Sequence, residues 1–250
     1  MRDIMNSWIF GNNKKDVSNR IILFHHAGGT ASFYKGWSEL FPQDTEVCAV
    51  QLPMRANRIC ESMPESIEQL AKNFIEENSD LFDKPFILFG HSMGAQIAFE
   101  VSCQLSRNGI NPKALFVSAC EAPLIPEKKD VSAKEKDESN IIQILKDYGH
   151  MVDDEVLNEP DFRSYYIPIV RQDFYISEKY FKPQSEILSC PIYSLSGKND
   201  PFVKLKKCQG WCGYTDCSCT FEEFSGDHFY LEQKKEEIAH IIQKAFRKTV

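Results

Sequence analysis

Phe86-Ile87-Leu88-Phe89-Gly90-His91-Ser92-Met93-Gly94 is the stretch whose reading decides the fold. The apolar run Phe86 to Phe89 reads as a strand buried on both faces, and the pattern from Met93 to Arg107 reads as a helix. Between them, Gly90-x-Ser92-x-Gly94 has the spacing of a nucleophile elbow. Small residues there let a strand turn sharply into a helix and lift the serine hydroxyl clear of the sheet. The plainer alternative is a tight glycine turn without chemistry. The strand-to-helix setting favours the nucleophile.

Further short apolar runs lie on either side of this stretch: Ile21 to Phe24, Val47 to Leu52, Ala114 to Ser118 and Ile192 to Leu195. Helical patterns alternate with them at Ser66 to Leu81 and Lys235 to Arg247. Alternation of this kind predicts a mostly parallel, doubly wound α/β sheet, here in a single domain over residues 1–250. The rhythm breaks at about residues 123–187. A charged stretch, Glu127 to Glu138, reads there as a solvated loop, and amphipathic patterns follow at Ile141 to Tyr148 and Phe162 to Tyr180. We read this as an inserted helical lid above the carboxyl ends of the strands, where ligands bind in such sheets.

Composition narrows the function. The chain has 250 residues, 42% hydrophobic and 26% charged, as in ordinary globular proteins. A net charge of −7 with no basic stripe argues against nucleic acid as a partner. The first residues, Met1 to Trp8, lack the apolar core of a signal peptide, and no run approaches the roughly 20 residues of a membrane span, so the expectation is a cytoplasmic protein off the membrane. The nine cysteines are then expected to be thiols. Cys208, Cys212, Cys217 and Cys219 include no C-x-x-C pair, and no metal is expected.

A serine nucleophile needs a base, and the base needs an acid to fix its tautomer. Chain order Ser, Asp, His points to Asp200, in Ser196-Gly197-Lys198-Asn199-Asp200-Pro201 after a late strand, and to His228, in Gly226-Asp227-His228-Phe229 after the strand-like Thr220 to Phe224. Asp173 and Asp216 are the rival acids. His150, in the lid, and His240, in the last helix, read as surface or packing residues, and Asp227 neighbours His228 too closely to reach its ring nitrogen easily. The oxyanion needs two backbone N–H groups. Met93, after the nucleophile, supplies one, and Ala27 in His25-His26-Ala27-Gly28-Gly29 is the candidate for the other. His25 or His26 is an alternative second base, or else a brace for that loop.

Taken together, the stretch Phe24 to Tyr34, the Gly90 to Gly94 elbow and Gly226-Asp227-His228-Phe229 resemble the type II thioesterases of polyketide and nonribosomal peptide synthesis, which have the α/β-hydrolase fold. The lid adds to the likeness: Pro168-Ile169-Val170-Arg171-Gln172-Asp173, then Glu178 and Tyr180, is similar to that family's P-x-x-R-x-D…E-x-Y stretch. The resemblance implies Ser92, Asp200 and His228 as triad, Ala27 and Met93 as oxyanion donors, and acyl groups on the phosphopantetheine arm of acyl or peptidyl carrier proteins as substrates. Phosphopantetheine then belongs to the substrate, and no separate cofactor is implied. One departure is Leu52-Pro53-Met54-Arg55, where the family usually has glycine in place of Met54. In relatives that loop lies near the entrance, so Met54, with His26, Arg55, Arg171 and Asp173, is a candidate for shaping entrance and lid.

A thiol with a pKa near 8.5 leaves with little acid help, so thioesters suit such a site better than amides. Alternatives are a medium-chain acyl-carrier-protein thioesterase of fatty-acid synthesis, a lid-bearing esterase or lipase, and a non-catalytic carrier-protein binder. Free small-molecule acyl thioesters are further candidate substrates. Carrier proteins are usually acidic, so docking to this acidic chain would need a local basic patch, for which Arg55, Arg58, Lys128, Lys129 and Arg171 are the candidates.

Overall fold

A computed structural model of the chain describes residues 7–10, 17–124, 132–133, 135–149, 153–203 and 205–247. Seven strands form one sheet: β1 (Ile9–Phe10), β2 (Asn19–Phe24), β3 (Thr45–Val50), β4 (Phe86–His91), β5 (Ala114–Ser118), β6 (Ile192–Gly197) and β7 (Cys219–Phe224). Their order is β1-β3-β2-β4-β5-β6-β7, with every pair parallel except β1 against β3. The doubly wound sheet expected from the apolar runs is present. The two-residue β1 was not foreseen, being too short to carry a strand pattern.

The helices are α1 (Ile67–Glu77), α2 (Met93–Ser106), α3 (Glu138–Tyr148), α4 (Asp154–Asn158), α5 (Pro160–Lys179), α6 (Leu205–Cys208) and α7 (Leu231–Arg247). The first is shorter than the pattern Ser66 to Leu81 suggests. Ser66 caps its start by accepting from Gln69 N–H, and Asn78 closes its end by donating to the Phe74 carbonyl at 2.7 Å, after which Ser79–Phe82 continue as a 3-10 turn.

Each face of the sheet buries its own core. Ile22, Leu88, Leu115 and Ile192 pack with α1 and α2 residues such as Phe74, Ile97 and Phe99, and with Trp211 and Tyr214. Ile21, Leu23, Ile87 and Phe116 pack with Trp37 and, from α7, Ile238 and Ile242. Alternate residues of β2 therefore serve opposite cores, which explains why the central strands are apolar without interruption. Between β5 and β6, helices α3 to α5 make a third, smaller cluster of Ile141, Leu145, Leu157, Tyr166, Ile167 and Val170. No helix among the described residues is long and apolar enough to cross a membrane. All nine cysteines are free thiols.

Candidate active site

The parallel order places the chemistry. β2 lies between β3 and β4, so the chain winds away in opposite directions from the β2/β4 boundary, and loops leaving the carboxyl ends there open a crevice. Phe24 pairs with Gly90, which sets the loop from His25 to Gly29 beside the turn at Ser92. Ser92 has φ 55° and ψ −121°, a conformation few non-glycine residues adopt, and its N–H donates to the Ser118 carbonyl at 2.8 Å. Both glycines of the elbow are sterically required. A Cβ at Gly90 would lie 2.0 Å from the Gly94 carbonyl oxygen, and one at Gly94 would lie 2.1 Å from that of Phe24.

Asp200 and His228 come from the next pair of strand ends. β6 and β7 run in register to Gly197 and Phe224, and the loops beyond are tied by Lys198 N–H to the Phe224 carbonyl and Asn199 N–H to that of Gly226. A Cβ on Gly197 would stand 2.1 Å from the Asp227 carbonyl oxygen, so the two loops touch through backbone. His228 Nδ1 lies 2.7 Å from Asp200 Oδ2, with both side chains almost wholly buried. A carboxylate accepts only, so Nδ1 carries the proton and the Nε2 lone pair is left for a reacting group. Asp200 Oδ1 accepts from the N–H groups of Phe202 and Val203 at 2.9 and 3.2 Å, which compensates for burying the charge. His228 Nε2 is buried and has no hydrogen-bond partner among the described residues, and His228 lines the cavity that Ser92 also lines.

The rival acids lie elsewhere. Asp173 bonds to Arg55, Asp216 accepts from Ser189, and Asp227 accepts from the N–H of Phe229. His240 is exposed on α7, and His150 lies outside the described residues.

In the loop after β2, Gly29 N–H donates to the His26 carbonyl and Gly28 N–H to Asp173 Oδ2, while Ala27 N–H has no acceptor among the described residues. Met93 opens α2, where the first N–H groups have no intrahelical acceptor. The two donors therefore stand at the ends of adjacent strands. His26 is wedged between the rings of Phe33 and Phe229, at 4.5 and 5.0 Å between centroids. Burial drives the His25 pKa down to about 3 and those of His26 and His91 well below the ordinary imidazole value. So low a basicity makes His26 a weak base and suits it to bracing. Behind His228, at 5.3 Å between ring centroids, His91 is held by a chain from its Nδ1 to Ser118 Oγ at 2.9 Å and on to Tyr230 Oη at 2.7 Å. Sequence reasoning passed over this chain because Ser118 and Tyr230 carry no motif.

The end of α3 covers part of the site. Tyr148, the last residue of α3, stacks on Phe202 at 4.0 Å and meets the His228 ring edge-on at 4.8 Å. The cavity lined by His26, Ala27, Ser92, Tyr148, Phe174, His228 and Phe229 measures only about 10 Å³, room for one water. A second space of about 300 Å³ adjoins it across His26, between the loop after β2 and α5, lined in part by Phe33, Arg55, Phe162, Tyr166 and Ile169. Tyr148, Phe174 and Phe202 were not among the residues singled out. Tyr148 ended a helical pattern, but nothing in that pattern tells which way the helix end points.

The remaining candidates divide. Asp173, from α5, and Arg55, from the loop after β3, form a bidentate pair with N···O distances of 2.6 and 2.7 Å, 0% and 1% exposed. Glu178 accepts from Ser132 Oγ and Ala133 N–H, and Tyr180 donates to Glu100, so the lid motif ties the lid together and to the core. Arg171 is half-buried on α5, and among the weaker influences on Asp137 at the start of α3 is its charge. Two expectations need correction. Met54 has φ 73° and packs against the main core instead of lining either cavity. Arg55 and Arg58 cannot form an exposed steering patch: Arg55 is consumed by Asp173, and Arg58 is buried over the Trp8 ring and bonded to Glu61. Lys128 and Lys129 lie outside the described residues.

Comparison with known proteins gives concordant results. The family described as "Thioesterase domain" matches residues 19–246. The chain is 33% identical over 245 residues to the gramicidin S biosynthesis protein GrsT of Aneurinibacillus migulanus, covering 97% of this chain and 95% of that one. It is 31% identical to thioesterase PikA5 of Streptomyces venezuelae, over 89% of this chain and 79% of the relative. Among solved structures, the type II thioesterase BorB from the borrelidin biosynthetic cluster superposes with a TM-score of 0.85 at 31% identity, covering 96% and 97% of the two chains.

Proposed function

Because the chain belongs to the thioesterase domain family, we propose that it is a type II thioesterase, with Ser92 as nucleophile, acting on acyl, aminoacyl or peptidyl groups on the phosphopantetheine arms of carrier proteins. The observation that carries this reading is the 2.7 Å bond from His228 Nδ1 to Asp200, which leaves the Nε2 lone pair free on a residue that lines the same cavity as Ser92. His228 takes the Ser92 proton as Oγ attacks the thioester carbonyl, and the N–H groups of Ala27 and Met93 receive the oxyanion. The C–S bond breaks and the thiol leaves. Its low pKa lets the bond break before much proton transfer has occurred, and the departing sulfur then takes the proton from His228 and restores the base. A water deprotonated by His228 then attacks the acyl-serine, the bond to Oγ breaks as His228 returns the proton to Ser92, and the free acid departs.

The likeness to GrsT, named for gramicidin S biosynthesis, and to PikA5, named as a thioesterase, supports carrier-borne substrates and an editing or regenerating role. The test compares kcat/KM for one acyl group on a carrier protein, on free pantetheine and as a nitrophenyl ester, with Ser92→Ala as background. We expect the carrier-borne group to be cleaved fastest and the variant to retain under about 1% of parent activity. Equal rates for carrier-bound and free pantetheine would leave a thioesterase of small molecules. Preference for the oxygen ester would point to an esterase.

A further inference from the structure

Asp173 does more than fasten a helix. Its Oδ2 accepts from Gly28 N–H at 2.7 Å and from Arg55 Nη1 at 2.6 Å, while Oδ1 accepts from Arg55 Nη2 at 2.7 Å. Arg55 reaches on to the carbonyls of Gly29 at 3.2 Å and Pro53 at 3.0 Å. The pair thus grips the loop after β2 at two points, the Ala27–Gly28 and Gly29–Thr30 peptides. Gly28 has φ +76°, and a Cβ there would stand 2.6 Å from Tyr166 Oη and 3.0 Å from Val170 Cγ2, so only glycine lets the loop come this close to α5. Arg55 is presented between two residues with positive φ, Met54 at 73° and Ala56 at 50°, a backbone that non-glycine residues hold only where the surroundings impose it.

We propose that the Asp173–Arg55 pair is the positioning unit of the oxyanion loop. Of the N–H groups from Ala27 to Gly29, the pair and the His26 carbonyl take the second and third, leaving the Ala27 N–H as the donor that faces substrate. Gripping the Ala27–Gly28 peptide through Gly28 N–H fixes that peptide plane next to the donor. Charge matters as well. A bare carboxylate this near the reacting carbonyl would oppose the negative oxygen of the tetrahedral intermediate, and the bidentate guanidinium cancels it in a buried, low-dielectric setting. The inference rests on the reading of Ala27 and Met93 as oxyanion donors, and it makes Asp173 a positioning residue that acts through Gly28.

Asp173→Asn and Arg55→Lys test it. Lysine keeps the charge but cannot hold the carboxylate in two places. Active sites are counted by burst titration with a fluorophosphonate, and kcat, KM, inhibition by an alkyl boronic acid and inhibition by the product acid are measured per titrated site. For Asp173→Asn we expect kcat to fall roughly 10- to 100-fold with KM within about threefold, the scale of a displaced oxyanion donor. Boronate affinity should fall in step, and product-acid affinity should hold. Arg55→Lys should lose less, in the same pattern, and decides the matter if Asp173→Asn does not fold. A lower melting temperature with parent kcat and boronate affinity per site would overturn the inference, leaving the pair a fastener of the lid. Turnover retained by Ser92→Ala would instead overturn the reading of the site itself.

Discussion

Ser92 and His228 stand on turns at strand ends where an added methyl group at Gly94 or Gly197 would lie 2.1 Å from a neighbouring carbonyl oxygen. Tyr148 reaches the same cavity from α3, whose buried side chains Ile141 and Leu145 pack in the small apolar cluster of the lid. The floor of the site is fixed by backbone against backbone and by hydrogen bonds of defined direction. Much of its roof is held by side-chain packing, which is non-directional and tolerates a shift. Catalysis needs the first kind of construction, because donors and base must be placed within a fraction of an ångström before the substrate arrives. Admission is served by the second: only about 10 Å³ is free beside Ser92, and a roof held by the stacking of Tyr148 on Phe202 can shift to give an acyl group more room. The lid itself contains both kinds, since α5 is bonded to the floor through Asp173 and Arg55.

The sharpest test of this division strikes the floor. Asp200→Asn keeps the shape of the loop but presents an amide that can donate to His228 Nδ1, which favours the wrong tautomer, with the proton on Nε2 where the lone pair is needed. We expect kcat to fall about 10⁴-fold with little change in melting temperature. A loss below about tenfold in steady-state kinetics would show that another group orients His228 and that the floor is less determinate than its geometry.

The roof should answer differently. Tyr148→Ala removes the ring that stacks on Phe202 and covers His228, so the cavity at Ser92 opens toward solvent and Phe174. For long or branched acyl thioesters kcat/KM should rise roughly tenfold, the size of effect an altered apolar pocket wall produces, while acetyl thioesters change little. Equal loss with both would mean that Tyr148 assists chemistry, and the contrast between floor and roof would fail at its most exposed point.

This contrast also explains what could be read in the sequence. Elbow, acid and base are each announced by short local patterns, because a strand end, a turn and a helix start demand glycine or a turn residue at fixed places: Gly90 and Gly94 around Ser92, Gly197 before Asp200, Gly226 before His228. The parallel order then brings them together. The pairing of Asp173 with Arg55 is separated by 118 positions and joins a helix to a loop, so nothing local could reveal it, and Asp173 stood as a rival to Asp200 until the fold placed it. Tyr148 was hidden for a similar reason: its helix was legible from Ile141 and Leu145, whereas the direction of the helix end is a property of packing. Met54 is a mixed case. Its departure from the usual glycine was visible and bore on the conformation of its loop, here a φ of 73°, whereas its packing against the main core was not legible.

Met54→Gly is the mildest probe, and it tests whether that conformation serves Arg55. Glycine adopts positive φ without the roughly 1–2 kcal/mol that a side chain costs there. Against this, the unfolded chain gains about 0.5–1 kcal/mol of backbone freedom, and the contact of Met54 with the main core is lost. These contributions oppose one another, so stability should change by no more than about 1 kcal/mol, or roughly 2–4 °C in melting temperature for a chain of this size. In kinetics, a loosened Arg55 should lower kcat a few-fold, less than Asp173→Asn, and by the same factor for short and long acyl thioesters, since Met54 lines neither cavity. A change confined to long chains would return Met54 to the entrance. An unchanged kcat would show that Arg55 is held by Asp173 and the carbonyls of Gly29 and Pro53 alone, without help from the strained backbone beside it.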